Sequence, residues 1–391
     1  MIIDELRIVG STQTNVVMTA ELSRVVRRAL VRRLPKDPRK EGLGQLVLPF
    51  DPAIAWAAVT YMRTPTRVLW DVYRSRANRL EPLFEELVAD VQGDARALLR
   101  DREGISVEAR RVESFAAGER QIIGTVKNAL VDGANQRGLR LHVDPEHAAT
   151  RWVVRMDDAG ELVVSIDLGG GSLSQRGWRR EAGAAPLREH LAAVLLMLCR
   201  FDPRTDILVD PMCGAGTIPI EAILAARATP RESPTLATLG LGPPEGARTG
   251  ALFDDADPIV VGCAVDVGVL AHARDNARRA GLADRITWQR ADVAHLKPET
   301  IADIAREHGR EPGPGLLIAN PPYGERLDDP DLIGTYEALA AACRRFPGWR
   351  AGFLVGSPVL EEVFFHAIGR PRIKKPLANA NLRAYFLLYD L

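Results

Sequence analysis

Asn320-Pro321-Pro322-Tyr323 closes the apolar run Leu316-Leu317-Ile318 with an amide, two rigid rings and an aromatic side chain. Those residue types suit one reaction. An exocyclic amine on a nucleobase is a poor nucleophile, because its lone pair is delocalised into the ring. Two acceptors, one per N–H, would hold such an amine with its lone pair aimed at an electrophile. The Asn320 side-chain oxygen and the Pro321 carbonyl fit that task, since the Pro-Pro backbone has few alternative conformations. Tyr323 would stack on a base flipped out of its helix. Positioning against an activated sulfonium methyl then supplies much of the rate without an acid–base pair.

Three other strand ends carry matching residues. Asp210-Pro211-Met212-Cys213-Gly214-Ala215-Gly216-Thr217 follows the apolar run Ile207-Leu208-Val209. A GxG there lets backbone approach a ligand where a side chain would collide. Nicotinamide enzymes share the feature, but the third glycine of their fingerprint falls on Pro219. Asp266 ends the next strand and could accept both hydroxyls of a ribose, or simply cap the helix that starts near Val267. Asp292 ends the one after and could meet an adenine amine, or be an ordinary loop aspartate. Glycine turn, acid, acid and NPPY thus fall on four successive strand ends, the edge where open α/β sheets bind ligands.

The elements that must position them alternate regularly. From Leu187 onward helices and apolar strands follow one another, which predicts a doubly wound, mostly parallel sheet. Thr229–Pro258, rich in Gly and Pro, interrupts that rhythm and reads as an insertion or a mobile loop. Before it, Glu21–Leu34 has helical apolar spacing with arginines on the opposite face, suited to solvent or to phosphates. A small α+β unit ends near residue 75. A second α/β module follows to about residue 170, with a helix over "LEPLFEELVADV", another over "RQIIGTVKNALVDGANQRG" and a hairpin turning at Asp158-Ala159-Gly160. "GGGSLSQRGWRREAGAAP" reads as a linker.

At 391 residues two or three domains are expected, and 46% apolar content is enough for sizeable cores. No 18-residue apolar run suggests a membrane span. The start lacks the pattern of a signal peptide. The four cysteines form no CxxC pair, so neither a zinc site nor a disulfide framework is expected, and a cytoplasmic setting is. Net charge is zero, yet residues 1–180 hold 28 Lys+Arg against 24 Asp+Glu, and the remainder holds 23 against 27. A polyanion should therefore meet the N-terminal half first. Arg110, Arg111, Lys127, Arg176, Arg179 and Arg180 are the candidate phosphate contacts.

"DPMCGAGT", "NPPYGERL", "RGWRREAGAAPLREHLAA" and the preceding α/β module resemble the THUMP-domain, S-adenosylmethionine-dependent RNA guanine-N2 methyltransferases. The likeness runs from about residue 45 to the end. The resemblance implies a ferredoxin-like α+β domain over 1–75, a THUMP RNA-binding domain over 76–170 and a Rossmann-like class I methyltransferase domain over 171–391. It implies S-adenosyl-L-methionine as cofactor, with Asp210, Cys213, Gly214, Gly216 and Thr217 around its methionine end, Asp266 at its ribose and Asp292 at its adenine edge. The loop before Pro186 would close over it, and Asn320 to Tyr323 would face the target amine. Glu221 could touch the cofactor or lie on a helix surface. The expected partner is rRNA or tRNA, with no membrane and no metal. Adenine N6 and cytosine N4 in DNA or RNA remain alternative targets, and a non-catalytic RNA-binding protein is the alternative of a different class.

Overall fold

The computed structural model describes residues 1–179, 187–253, 255–322, 331–378 and 383–391. They form two compact units.

The first takes Met1–Gly10, Thr19–Leu173 and Pro230–Thr249. Its strands are β1 (Ile2–Val9), β2 (Arg39–Glu41), β3 (Gln45–Pro49), β4 (Arg67–Ser75), β5 (Gly104–Arg110), β6 (His142–Val143), β7 (Thr150–Met156) and β8 (Leu162–Asp167). They make one sheet in the order β2-β3-β1-β4-β8-β7-β5-β6. Where the sequence pattern predicts a break near residue 75, β4 runs antiparallel to β8, with Leu69 opposite Asp167. Ladder hydrogen bonds cross that boundary, and both N-terminal stretches share one sheet. The hairpin turns at Asp157–Gly160, as the Asp-Ala-Gly sequence implies.

Helices α1 (Asn15–Ala29), α2 (Pro52–Tyr61), α3 (Leu80–Gly93) and α4 (Glu119–Gln136) connect these strands. The first starts six residues before the expected Glu21 and ends at Ala29, because Val31 turns left-handed at φ 53°. Arg32 and Arg33 therefore lie beyond it. Asp51 caps α2 by accepting from the Ala53 and Ile54 amides, with Pro52 at the first position, where a missing N–H costs nothing. Close approach of α3 and α4 needs Gly133, whose added Cβ would stand 2.7 Å from Val91.

Alternation along the strands puts a polar network on one sheet face. The Asp71 carboxylate is fully buried and accepts from Arg7 Nε at 2.8 Å, Arg155 Nη2 at 2.6 Å and Ser165 Oγ at 2.6 Å. Full pairing of this kind is what makes a buried charge tolerable. It also means that part of the N-terminal arginine surplus is used inside the sheet.

The second unit takes Ser11–Met18, Ser174–Thr229 and Gly250–Leu391. Along the chain come α5 (Glu189–Leu198), β9 (Ile207–Asp210), α6 (Thr217–Arg227), α7 (Pro234–Thr238, part of the first unit), β10 (Ile259–Ala264), α8 (Val267–Arg279), β11 (Thr287–Arg290), α9 (Pro298–Glu307), β12 (Gly315–Ala319), α10 (Asp331–Arg344), β13 (Arg350–Val355), α11 (Pro358–Ile368), β14 (Ile373–Pro376) and β15 (Tyr385–Asp390). The sheet order is β11-β10-β9-β12-β13-β15-β14, parallel through β13, with β15 antiparallel to both neighbours. Successive residues bury on opposite faces. Leu208, Val260, Leu316 and Ile318 pack with α5 and α6, while Ile207, Val209, Val261 and Leu317 pack with α9, α10 and α11. This is the doubly wound arrangement, and its strand order reverses between β9 and β12.

Pro230–Thr249 is an insertion held in place on the first unit. The Arg231 amide donates to Thr60 O, Ser233 Oγ to Leu168 O, Arg100 Nε to Thr238 O and Tyr61 OH to Arg248 O.

Candidate functional site

The reversal of strand order opens a crevice at the carboxyl ends of β9 and β12, so the site is built from the turns that leave these strands and their neighbours.

After β9 the chain makes a sharp turn fixed from several sides. Asp210 is 2% exposed, and its Oδ1 accepts from the Met212 amide at 3.1 Å. Burial pushes this carboxyl up to about 8, opposed by the Met212 N–H. The Cys213 amide donates to Cys263 O on β10 at 2.9 Å, and burial raises the Cys213 thiol. Asn276 of α8, also buried, donates from Nδ2 to Ala215 O at 3.0 Å. Asp210, Cys213 and Thr217, expected around a ligand, are all buried, and they shape the turn from beneath.

The two glycines of the turn differ. Gly214 has φ 50°, and a Cβ added there would meet nothing within 4 Å. Gly216 has φ 81°, and its Cβ would lie 2.8 Å from the Trp288 ring. Trp288 also occupies the space a side chain at Gly262 would need. Gly216 is thus demanded by packing and by the left-handed start of α6, whereas at Gly214 only the positive φ favours glycine and the space beside it is open.

Asp266 and Asp292 stand exposed at the next two strand ends. Each serves as a cap. Asp266 Oδ1 accepts from Gly268 N at 2.6 Å and Val269 N at 3.1 Å, and Asp292 Oδ1 accepts from Ala294 N at 2.8 Å. In both the cap engages Oδ1, so capping and ligand contact through Oδ2 are compatible. Val265 and Val267, flanking Asp266, are 57% and 55% exposed. They offer an apolar surface beside an acceptor, which suits the face of a nucleoside. Sequence pattern missed both, because exposed valines after a buried strand read as strand residues.

Beyond β12, the Asn320 side-chain oxygen is buried without a hydrogen-bond partner among the described residues. An unmatched buried acceptor costs about 1–3 kcal/mol, so it marks a place where a donor belongs. Tyr336 of α10 donates from its hydroxyl to Pro322 O at 2.6 Å, bracing the Pro-Pro segment from below. Pro186, Arg180 and Tyr323 lie outside the described residues.

The arginine candidates divide. Arg176 has a 4% exposed side chain and pairs through Nε at 3.1 Å with the fully buried Glu221, so neither is a surface group. Arg179 donates from Nη2 to Leu187 O at 2.8 Å and Thr217 Oγ1 at 2.7 Å, and forms an ion pair with Glu189 at 3.2 Å. Both arginines are engaged by interior carboxylates, which corrects their reading as phosphate contacts. Local spacing carries no sign of this, since the matching acids lie in α5 and α6. Arg110 is exposed but pairs with Glu108 at 3.1 Å. Arg111 is exposed at φ 55°, and Lys127 is half-buried on α4. Among the described residues no three His, Cys, Asp or Glu side chains gather as for a metal, and no helix is long and apolar enough to cross a membrane.

Residues 176–367 match the UPF0020 family, described as the RMKL-like methyltransferase domain. A relative in Aeromonas salmonicida, ribosomal RNA large subunit methyltransferase K/L, is 36% identical over a 290-residue alignment that covers 68% of this chain and 39% of that protein. The chain thus spans well under half the length of the curated relatives it matches. A crystal structure described as a predicted N6-adenine-specific DNA methylase from Listeria monocytogenes superposes at TM-score 0.77 with 25% identity, covering 99% of this chain and 96% of its own. SMU.472, described as a putative methyltransferase complexed with SAH, gives the same TM-score of 0.77 at 23% identity, covering 99% and 98%. The second likeness shows the fold alone.

Proposed function

Because residues 176–367 belong to the RMKL-like methyltransferase family, we propose that this chain methylates the exocyclic N2 amine of a guanosine in structured RNA, with S-adenosylmethionine as methyl donor. The observation that carries the reading is the buried Asn320 Oδ1 at the carboxyl end of β12, which has no hydrogen-bond partner among the described residues. Large-subunit ribosomal RNA is the favoured substrate over tRNA, since the curated relatives are named for it. Residues 76–170 would serve as the THUMP module that holds the RNA, next to a ferredoxin-like 1–75.

The residues present fit the cofactor. Open space beside Gly214 would leave room for its methionine end, the exposed Asp266 would offer a carboxylate oxygen to the ribose, Val265 and Val267 would flank the purine, and Asp292 would meet the adenine edge. Once bound, it would supply an electrophilic methyl on a sulfonium sulfur. This chain's part is placement. Asn320 Oδ1 and Pro321 O accept the two amine hydrogens and turn the nitrogen lone pair toward the methyl, Tyr323 stacks on the flipped base, and the departing amine proton passes to water.

The test combines enzyme, labelled cofactor and unmodified total RNA, followed by digestion and nucleoside separation. Label in N2-methylguanosine is expected. Label in N6-methyladenosine would move the reading to adenine, as the Listeria description suggests for that protein, and keep the amine chemistry. Label on a ribose oxygen or a ring carbon would reject it, since neither presents two N–H groups. Asn320→Ala should lower turnover by roughly two to three orders of magnitude while cofactor affinity, measured by calorimetry, stays near wild type. An absence of cofactor binding in the wild type would leave only a non-catalytic RNA-binding role.

A further inference from the structure

The second half of the chain is net negative, yet "GRPRIKKPLANANLRAY", residues 369–385, carries five basic residues and no acidic one. Its described parts build the far edge of the catalytic sheet. Tyr385 begins β15, pairing with Val355 at the end of β13 and with Pro376 at the end of β14. It therefore sits on the same carboxyl edge as the Asn-Pro-Pro turn. On β12 Ala319 lies opposite Phe353, two residues before Val355, so Pro321 and Tyr385 fall at one level of the edge. They are two strand spacings apart, roughly 10 Å.

The Tyr385 side chain is unusual for this sheet. The next four residues of β15 are all fully or almost fully buried, while Tyr385 is 41% exposed. Lys374 Nζ lies 5.0 Å from its ring centroid and is held there by Glu361 at 2.7 Å. A cation thus rests against the ring, while much of the side chain stays open to solvent. Arg372 pairs with Asp390 at 3.0 Å. Among the described residues no carboxylate pairs with Arg370, Lys375 or Arg383. An exposed aromatic ring in a basic segment is how proteins hold unpaired nucleotides: bases stack on the ring and the charges follow the backbone.

We propose that Tyr385, with Lys374 against its ring and Lys375 and Arg383 on the flanking backbone, is a stacking platform for an unpaired RNA nucleotide next to the one whose amine Asn320 receives. The inference rests on the RNA methylation reading for its choice of polyanion. It places an RNA-binding surface on the catalytic unit itself, apart from the N-terminal half.

Full-length Tyr385→Ala, Tyr385→Phe and the double variant Lys375→Gln/Arg383→Gln would be titrated by fluorescence anisotropy with a short unstructured ribo-oligonucleotide and with an RNA duplex. Tyr385→Ala should weaken oligonucleotide binding roughly 5- to 100-fold, the range for removing the ring beneath one stacked base, and Tyr385→Phe should stay near wild type. The double variant should reduce the salt slope by about 0.7 for each phosphate that no longer meets a cation. Calorimetry with the cofactor checks that each variant is folded, and the double variant, changed only at the surface, keeps the test open if Tyr385→Ala is not. Unchanged oligonucleotide affinity and salt slope in folded variants would overturn the proposal. Equal weakening for oligonucleotide and duplex would overturn it too, since charge alone would then explain binding. Product identity in the wild type separates the two readings: methylated RNA with unaffected variants removes only the platform, whereas weakened variants with no methyl transfer remove only the methylation.

Discussion

Asn320 and Asp210 sit at the ends of neighbouring strands and face opposite problems. The Asn320 oxygen has no donor among the described residues, and the sequence made it conspicuous because an amide has no packing reason to end Leu316-Leu317-Ile318. Asp210 was equally visible, but its depth was not. Burial pushes its carboxyl up to about 8, while in an unfolded chain an aspartate titrates near 4. Between these values the unfolded state has released its proton and the fold still holds it. Stability therefore falls as pH rises from about 4 to about 8 and levels off above. Asp210→Asn should flatten this dependence in thermal melts taken at about pH 5 and about pH 8. A variant retaining the full wild-type pH dependence would show that another group titrates.

At the scale of the element, the turn between β9 and α6 separates two roles that GxG merges in the sequence. Gly216→Ala meets the Trp288 ring at φ 81°, so it should cost roughly 1–3 kcal/mol of stability. Gly214→Ala enters open space at φ 50° and should cost only the left-handed strain, about 1–2 kcal/mol, yet weaken cofactor binding by filling that space. Denaturant titration and calorimetry on both variants check this, and the reverse pattern would assign the cradle to Gly216. Periodicity found the long helices and the central strands. It left α9, α11, β14 and β15 unread, because α9 lies beyond a turn rich in polar residues and β14 has only "IKKP" to show. The Arg176–Glu221 and Arg179–Glu189 pairs were hidden for a different reason: which carboxylate an arginine meets is set by helix packing, and spacing along the chain does not record it.

Across the molecule, the path of the chain between the two units was the least legible feature. Twenty residues of the C-terminal half, Pro230–Thr249, fold with the N-terminal sheet, and Ser11–Met18 folds with the second unit. Gly and Pro content alone left the wider stretch Thr229–Pro258, which contains the first of these, open between insertion and mobile loop. Its anchors decide the matter, and they give a prediction. The amides of Arg231 and Arg248, bonded to Thr60 O and Ala29 O, should exchange with solvent only as the first unit opens. Exchange at free-loop rates, read by mass spectrometry, would remove the anchoring. What the sequence determined alone was local in origin: the doubly wound order from alternating helices and apolar strands, the carboxyl-edge constellation from residues at strand ends, and the Asn-Pro-Pro turn from backbone rigidity. Tertiary structure decided which arginines are interior, which glycine is open, that residues 1–170 share one sheet, and that Tyr385 reaches the carboxyl edge of the second. Each of these depends on partners brought together from distant parts of the chain, and burial, register and ion pairing exist only once those partners meet.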